Sequence, residues 1–260
     1  MSAGTFTPRP GAAPVSRMIL AQTALETRML LRNGEQLLLT VIIPALLLTL
    51  FSTVDIVSVP VGEGGGGKSV DFLAPGILAL AVMSTAFTGQ AIATGFDRRY
   101  GVLKRLGASP LPRWALMAAK TLSVLVTEVL QIALLTVIAL ALGWSPQGDP
   151  LSVAVLILLG TAAFSGLGLL MAGTLKAEVT LAAANLVFLL LLVGGGVIVP
   201  LDKFPDAVRS VLGLLPISAL SDGLREVLQH GAALPWGDAA VLAGWAVLGL
   251  GAAARLFRWE

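Results

Sequence analysis

The sequence contains no cysteine, a single histidine and few charged residues. The lack of cysteine excludes disulfide bonds, thiolate nucleophiles and thiolate metal sites, and one histidine cannot build a histidine-rich metal cluster. Charged residues make up 12% of the chain, whereas soluble domains carry about 25%. Hydrophobic residues make up 56%, and the mean hydropathy is +0.90. These values exclude an ordinary soluble globule and predict an integral membrane protein without a metal site.

Long apolar stretches predict an all-α integral membrane protein with six transmembrane helices. One crossing needs about 20 residues, so a chain of 260 residues has room for six crossings and their loops. Residues 1–16 are rich in Pro, Gly, Ser and Thr and are predicted to form a disordered tail, followed by a single transmembrane domain over 17–260. The predicted spans are about 37–56, 73–95, 121–143, 151–173, 179–200 and 239–254.

The distribution of charge predicts the orientation of these spans. With six spans, the N-terminal tail, the second loop, the fourth loop and the C-terminus lie on one side of the membrane. This set holds 13 of the 17 Lys and Arg residues with 5 acidic residues, whereas the opposite set holds 4 basic and 9 acidic residues. The positive-inside rule therefore predicts a multi-pass protein of the cell membrane with both termini in the cytoplasm. The net charge of +2 gives no reason to expect a nucleic-acid partner.

Residues 17–36 have an amphipathic helical pattern, which predicts a helix lying on membrane lipid at the inner surface. Apolar residues recur there at spacings of three and four, while basic residues occupy another face. An ordinary amphipathic lead-in without a specific role is the alternative. The residues assigned to this interfacial helix are Arg17, Leu20, Ala24, Arg28, Leu31 and Arg32.

The loop after the second span predicts a short basic helix. Val102, Leu103 and Leu106 share one helical face and would form a small apolar knob. Gly107 can end the helix, and Pro110 prevents its continuation. The alternative is a plain positive-inside anchor, although an anchor needs neither the knob nor the Gly and Pro.

The segment 201–235, between the last two spans, predicts a pair of short helices that dip part-way into the bilayer from outside. Its apolar run Val211–Leu215 is too short to cross the membrane. A plain extracellular loop would not need the nearly uncharged stretch 211–221.

Glycine recurs along the predicted fourth and sixth spans. Small residues let two membrane helices approach closely, and this structural role is favoured over a role in a pore. The glycines are Gly160, Gly166, Gly168 and Gly173 in the fourth span, and Gly244, Gly249 and Gly251 in the sixth.

Two motifs stand out, one in the loop after the second span and one around the segment 201–235. The first comprises Asp97-Arg98, Gly101, Leu103-Lys104-Arg105-Leu106 and Ser109-Pro110, and the second comprises Pro200, Phe204-Pro205, Pro216 and Leu224-Arg225. They resemble the motifs of the membrane subunit of type-2 ATP-binding-cassette (ABC) exporters, a family of bacterial daunorubicin-type drug, polysaccharide and lipid exporters. The similarity covers about 17–258. Asp97 stands where glutamate is commoner in the family, which preserves the charge.

The resemblance implies a role for each of these segments. The chain would be a permease with an interfacial helix, a coupling helix at 98–106 that touches the ATPase, and an extracellular re-entrant hairpin at 202–229. It would form half of a membrane unit, as a homodimer or as a heterodimer with a related permease. The implied coupling residues are Asp97, Arg98, Arg99, Gly101, Val102, Leu103, Lys104, Arg105, Leu106 and Pro110, and the implied hairpin residues are Phe204, Pro205, Pro216 and Arg225.

The sequence also indicates where ATP is hydrolysed. The stretch 64–69 superficially resembles a phosphate-binding loop, but it lies in a predicted extracellular loop, whereas such a loop needs a preceding strand, a following helix and cytoplasmic ATP. ATP and Mg are therefore expected on a separate cytoplasmic ATPase subunit, with no cofactor bound by this chain. Spans almost free of charge favour a hydrophobic or amphipathic substrate of drug, lipid or glycan type.

Glu128 keeps an ion-coupled secondary transporter open as an alternative. It is the one charged residue inside the predicted third span, and Gln131 follows about one turn later on the same face. The structural alternative is a bundle-facing carboxyl group that is hydrogen-bonded to Thr or Ser side chains, such as Thr85 or Thr88. An intramembrane hydrolase is disfavoured because His230 lies outside the spans and no two acids share a span. The chain is therefore predicted to be non-catalytic.

Overall fold

The computed structural model describes residues 13–34, 38–53, 69–197 and 205–258. Every regular element in these ranges is helical, which confirms the all-α prediction for this part of the chain. Most of the predicted tail, the glycine-rich stretch 64–68, Pro200 and Phe204 lie outside the described residues. The helices are α1 (Val15–Arg32), α2 (π-helical Leu38–Ile42 continuing as Ile43–Thr53), α3 (Ser69–Arg99), α4 (Val102–Gly107), α5 (Arg113–Ala141), α6 (Pro150–Thr174), α7 (Ala177–Gly194), α8 (Asp206–Leu212), α9 (Pro216–His230) and α10 (Trp236–Leu256).

Five helices of the described chain are long and apolar enough to cross a membrane, namely α3, α5, α6, α7 and α10. The predicted span 151–173 agrees with α6 to within one residue at each end. The described apolar part of α2, Thr40–Thr53, is shorter than a full crossing. Both ends of the predicted first span, 37 and 54–56, lie outside the described residues.

Three predicted spans are shorter than the corresponding helices. α3 has 31 residues and extends beyond 73–95 at both ends, whereas α5 begins at Arg113 instead of 121. α10 has 21 residues and includes Asp238 and Arg255, which the prediction placed outside the span. The prediction ends the spans at charged residues, but a helix can continue through a charged residue whose side chain reaches a partner or water. The predicted fifth span, in contrast, is too long at its C-terminal end, because α7 ends at Gly194 instead of residue 200.

α3 lies at the centre of the bundle. It packs against α2, α5, α6, α7 and α9, and 83% of its most apolar 18-residue window is buried. Between Ser84 and Gly89 its backbone is π-helical, a distortion that is frequent at functional sites. Gly168 of α6 packs here so closely that a Cβ atom would lie 2.9 Å from the Phe87 carbonyl oxygen.

α6 and α10 form the most extensive helix pair. A Cβ atom at Gly166 would lie 2.5 Å from the Leu250 backbone nitrogen, and one at Gly249 would lie 3.0 Å from the Leu167 backbone nitrogen. Close helix packing is therefore confirmed for these two glycines. For Gly244 and Gly251 it is wrong, because an added Cβ would meet nothing within 4 Å.

The connections meet in two groups at opposite ends of the bundle. At one end Arg98 donates a hydrogen bond to the Leu175 carbonyl, and the Arg258 N–H donates to the Gly173 carbonyl at 3.0 Å. At the other end the Gln147 N–H donates to the Leu228 carbonyl at 2.8 Å, and the Ser145 N–H donates to Asp71 at 3.3 Å. The first group brings together the second loop, the fourth loop and the C-terminus, and we call this end the basic end.

Candidate functional site

The predicted coupling helix 98–106 is two separate pieces in the structure. Arg98 and Arg99 are the last residues of α3, and a new helix, α4, begins at Val102. The break is at Gly101, whose φ of 70° lies in the left-handed region that glycine adopts without steric cost. The prediction of one continuous helix is therefore wrong, because the turn at Gly101 redirects the chain.

The prediction that Val102, Leu103 and Leu106 form an exposed apolar knob is also wrong. Leu103 is fully buried, with 0% of its surface exposed, whereas Val102 and Leu106 are half-buried. A helix of six residues needs an apolar anchor to hold it, and α4 packs against the end of α3. Lys104 and Arg105 are exposed, as is Pro110 beyond the helix. The outer surface of α4 is therefore mainly basic.

A buried ion cluster joins three helices, α1, α3 and α5. The Lys120 ammonium of α5 lies 2.7 Å from the Asp97 carboxylate of α3 and 3.1 Å from the Glu26 carboxylate of α1. The Lys120 side chain is only 4% exposed. Asp97, which the resemblance assigns to the coupling segment, thus pairs inside the protein. The prediction missed the roles of Lys120 and Glu26, although a lysine inside an apolar helical stretch was a usable signal.

A polar cavity adjoins this cluster between α1, α3 and α5. Glu26, Lys120, Gln90, Thr94 and Ser123 line it, and about 20 Å³ is open to the centre of a water molecule. That space is enough for a single water. Gln90 is buried, and neither atom of its amide group has a partner within the described part of the chain. The Gln90 amide therefore lines the cavity with hydrogen-bonding capacity beside the ion cluster.

The predicted interfacial segment 17–36 is helical as α1, which ends at Arg32 instead of residue 36. It packs on α5 through Thr23, whose hydroxyl donates to the Ala119 carbonyl at 3.4 Å, and through Glu26. The face predicted to be apolar is turned away from the bundle, and Leu20 is 65% exposed. The exposed residues include the predicted set, Arg17, Leu20, Ala24, Arg28, Leu31 and Arg32.

The two predicted intramembrane polar residues, Glu128 and Gln131, are buried and hydrogen-bonded. Glu128 is 1% exposed and accepts a hydrogen bond from a threonine, as the structural alternative predicts, but the donor is Thr161 of α6 at 2.6 Å and not Thr85. Thr85 donates instead to Gln131 at 2.8 Å, and Gln131 donates to the Thr40 carbonyl. The second carboxylate oxygen of Glu128 has no partner among the described residues. These bonds tie α2, α3, α5 and α6 together within the apolar bundle.

The segment predicted as a hairpin contains α8 and α9. Arg225 of α9 is buried and holds three parts of the chain together. Its guanidinium lies 4.1 Å from the centre of the Phe72 ring, donates to the Val197 carbonyl at 2.8 Å and pairs with Asp222 at 3.0 Å. Pro205 immediately precedes α8, and Pro216 is the first residue of α9. Arg225 therefore fixes α9 to the start of α3 and to the chain after α7.

Within the residues described, His, Cys, Asp and Glu form no group of three that could hold a metal ion. The Glu26, Asp97 and Glu128 carboxylates take part in the contacts described above. The candidate functional surface is the basic end with α1, α4 and the Lys120 cluster.

Comparison with known proteins identifies the family of this chain. The sequence profile described as "ABC-2 type transporter" matches residues 19–228, which is most of the chain. The putative transport permease YvfS of Bacillus subtilis (strain 168) is 25% identical over 235 residues, covering 87% of this chain and 91% of the relative. The linearmycin resistance permease protein LnrN of the same organism is 29% identical over 171 residues, covering 65% of this chain but only 44% of the relative.

The family match agrees with the helical bundle and its five apolar helices, and it extends from α1 to α9. It includes both motifs on which the resemblance was based. The chain is therefore a multi-pass membrane permease subunit, and it belongs to the ABC-2 type transporter family.

Proposed function

We propose that the chain is the permease subunit of an ATP-driven exporter that moves a hydrophobic or amphipathic solute out of the cytoplasm. The observation that carries the proposal is the basic end of the bundle. There α4 is anchored by buried Leu103 and presents Lys104 and Arg105 outward. A short helix fixed on one side and exposed on the other is suited to docking a separate protein.

The docked protein is a cytoplasmic ATPase subunit that binds ATP and Mg. Movement of α4 would pass directly to α3, against which it packs. From α3 it would reach α1 and α5 through the ion cluster of Asp97, Lys120 and Glu26. The basic end is then cytoplasmic, as the positive-inside rule predicts, with both termini on that side. A sixth crossing through α2 and a re-entrant hairpin of α8 and α9 complete the proposed membrane topology.

The substrate enters a complex of two permease subunits, either two copies of this chain or this chain with a related one. α5 and α7 support this arrangement, because most of their apolar surface is unburied in the single chain and remains available to lipid or to a second subunit. LnrN is named for resistance to linearmycin, which supports a drug-type solute. Lipids and glycans share the amphipathic character that we propose for the substrate.

Charge reversal on α4 tests the docking proposal. The double variant Lys104→Glu and Arg105→Glu is expected to lose most of the co-purifying ATPase while the permease remains folded, because both side chains are exposed. Each exposed charge contributes roughly 0–1 kcal/mol to an interface, so the loss should be larger at low salt. The measurement is ATPase recovery on the tagged permease beside thermal unfolding. Arg209→Glu, an exposed change on α8, is the control, and equal recovery in all variants would contradict docking at α4.

An ion-coupled transporter is the second candidate, and Glu128 is the observation that favours it, because one of its buried oxygens lacks a partner in the described structure. We expect Glu128→Gln to keep ATP-driven transport. Glutamine retains an oxygen that accepts from Thr161, and the stability change should stay within about 1 kcal/mol. Transport into vesicles with ATP, or with a proton gradient alone, is the measurement. Gradient-driven transport that disappears in the folded variant would instead establish ion coupling.

A further inference from the structure

Two segments that are far apart in sequence form a cleft at the basic end. Arg98 and Arg99 come from the end of α3, and Lys176 and Glu178 come from the start of α7. Gly95 and Ala177 complete the lining of a cleft of about 330 Å³, which we call the basic cleft. Arg258, close to the C-terminus, lies near enough to Arg98 to repel it electrostatically.

Within the described residues, the positive charges around the basic cleft are not balanced by carboxylates. Arg99 pairs with Glu178, the acidic residue of the lining. Arg98 donates one hydrogen bond to the Leu175 carbonyl, but its Nη1 atom is buried without a partner among the described residues. Arg98, Lys176 and Arg258 therefore add positive charge that one carboxylate cannot offset. Guanidinium and ammonium groups brought together in this way favour an anion with several acceptor oxygens.

The surroundings of the cleft favour an anion that carries an apolar tail. Val179 and Leu181 follow the cleft along α7 and are 48% and 40% exposed. Beyond them the exposed apolar surface continues along the same helix with Leu186, Leu189 and Leu190. A molecule whose phosphate sits in the cleft could therefore lay acyl chains on the outer surface of α7.

We propose that the basic cleft binds the phosphate group of an anionic phospholipid from the inner leaflet. The choice of leaflet rests on the proposed cytoplasmic position of the basic end, whereas lipid binding itself does not. Binding would neutralise the repulsion between Arg98 and Arg258 and would fasten the end of α3 to the start of α7. Because α3 continues into the turn before α4, the bound lipid would also hold that turn in place.

Lipid retention by the purified full-length protein tests this proposal. The protein is placed in nanodiscs of phosphatidylcholine alone or mixed with phosphatidylglycerol, extracted gently, and its bound lipids are counted by native mass spectrometry. The wild-type protein is expected to retain phosphatidylglycerol in preference to phosphatidylcholine. Lys176→Gln should weaken that preference about fivefold, and Arg98→Gln should weaken it at least as much. Lys176 is exposed, so its variant remains informative if Arg98→Gln does not fold.

Arg105→Gln is the matched control, because Arg105 is exposed at the same end but does not line the cleft. An equal loss in this variant, or no loss in Lys176→Gln, would overturn the proposal. Inorganic phosphate that displaces phosphatidylglycerol and raises the unfolding temperature by itself would overturn the lipid assignment in favour of a soluble phosphate. Loss of ATPase recovery in Lys176→Gln with unchanged lipid retention would show that the cleft docks the ATPase instead. Both sides of a nanodisc are accessible, so these results do not depend on the orientation or on transport.

Discussion

Replacement of Lys120 by methionine is expected to destabilise the protein by about 3–5 kcal/mol, the usual cost of removing one partner from a buried ion pair. Methionine preserves the length of the side chain but leaves the Asp97 and Glu26 carboxylates facing each other without their shared cation. The three helices they join, α1, α3 and α5, should separate first. The measurement is thermal unfolding of the purified protein together with protease sensitivity of α1.

Two further variants test whether this loss of stability comes from the ion cluster. Lys104→Met removes an exposed lysine at the same end and should change the stability by less than about 1 kcal/mol. The triple variant Lys120→Met, Glu26→Gln and Asp97→Asn removes the uncompensated charges and should recover most of the lost stability. If Lys120→Met is as stable as Lys104→Met, the cluster does not hold the helices together.

Gly166→Ala is expected to destabilise the protein by about 1–3 kcal/mol, the range for added volume in a well-packed interior. The new Cβ atom would lie 2.5 Å from the Leu250 backbone nitrogen and 2.7 Å from the Gly249 carbonyl carbon. These are backbone atoms of the facing helix, so no side-chain rotation can relieve the clash. α6 and α10 would have to move apart, and the loss should appear as a lower unfolding temperature with unchanged helix content.

Gly244→Ala provides the opposite expectation in the partner helix. A Cβ atom there would meet nothing within 4 Å, and alanine is favoured over glycine inside a helix by roughly 0.5–1 kcal/mol. The unfolding temperature should therefore stay the same or rise. A fall of similar size in both variants would mean that the α6–α10 contact differs from the one described.

The candidate site shows how much of the detail could be predicted from spacing. Val102, Leu103 and Leu106 do recur on one face of a short helix, but spacing does not say whether that face looks outward or inward. Leu103 faces inward because its burial against α3 stabilises the short helix α4. Similarly, Glu128 was identified as a buried carboxylate, yet its partner Thr161 lies on α6, which no local pattern indicates.

The sequence by itself determined the class of this protein, most of its membrane helices and its family. These properties follow from apolar runs, from the uneven distribution of Lys and Arg, and from motifs of contiguous residues, all of which are local along the chain. Only the tertiary structure decided which charged residues meet. Glu26, Asp97 and Lys120 form one ion cluster, and Arg98, Lys176 and Arg258 gather at one end, although long stretches of chain separate them. Such contacts depend on how the helices pack and rotate against one another, and the sequence of a single helix does not specify this arrangement.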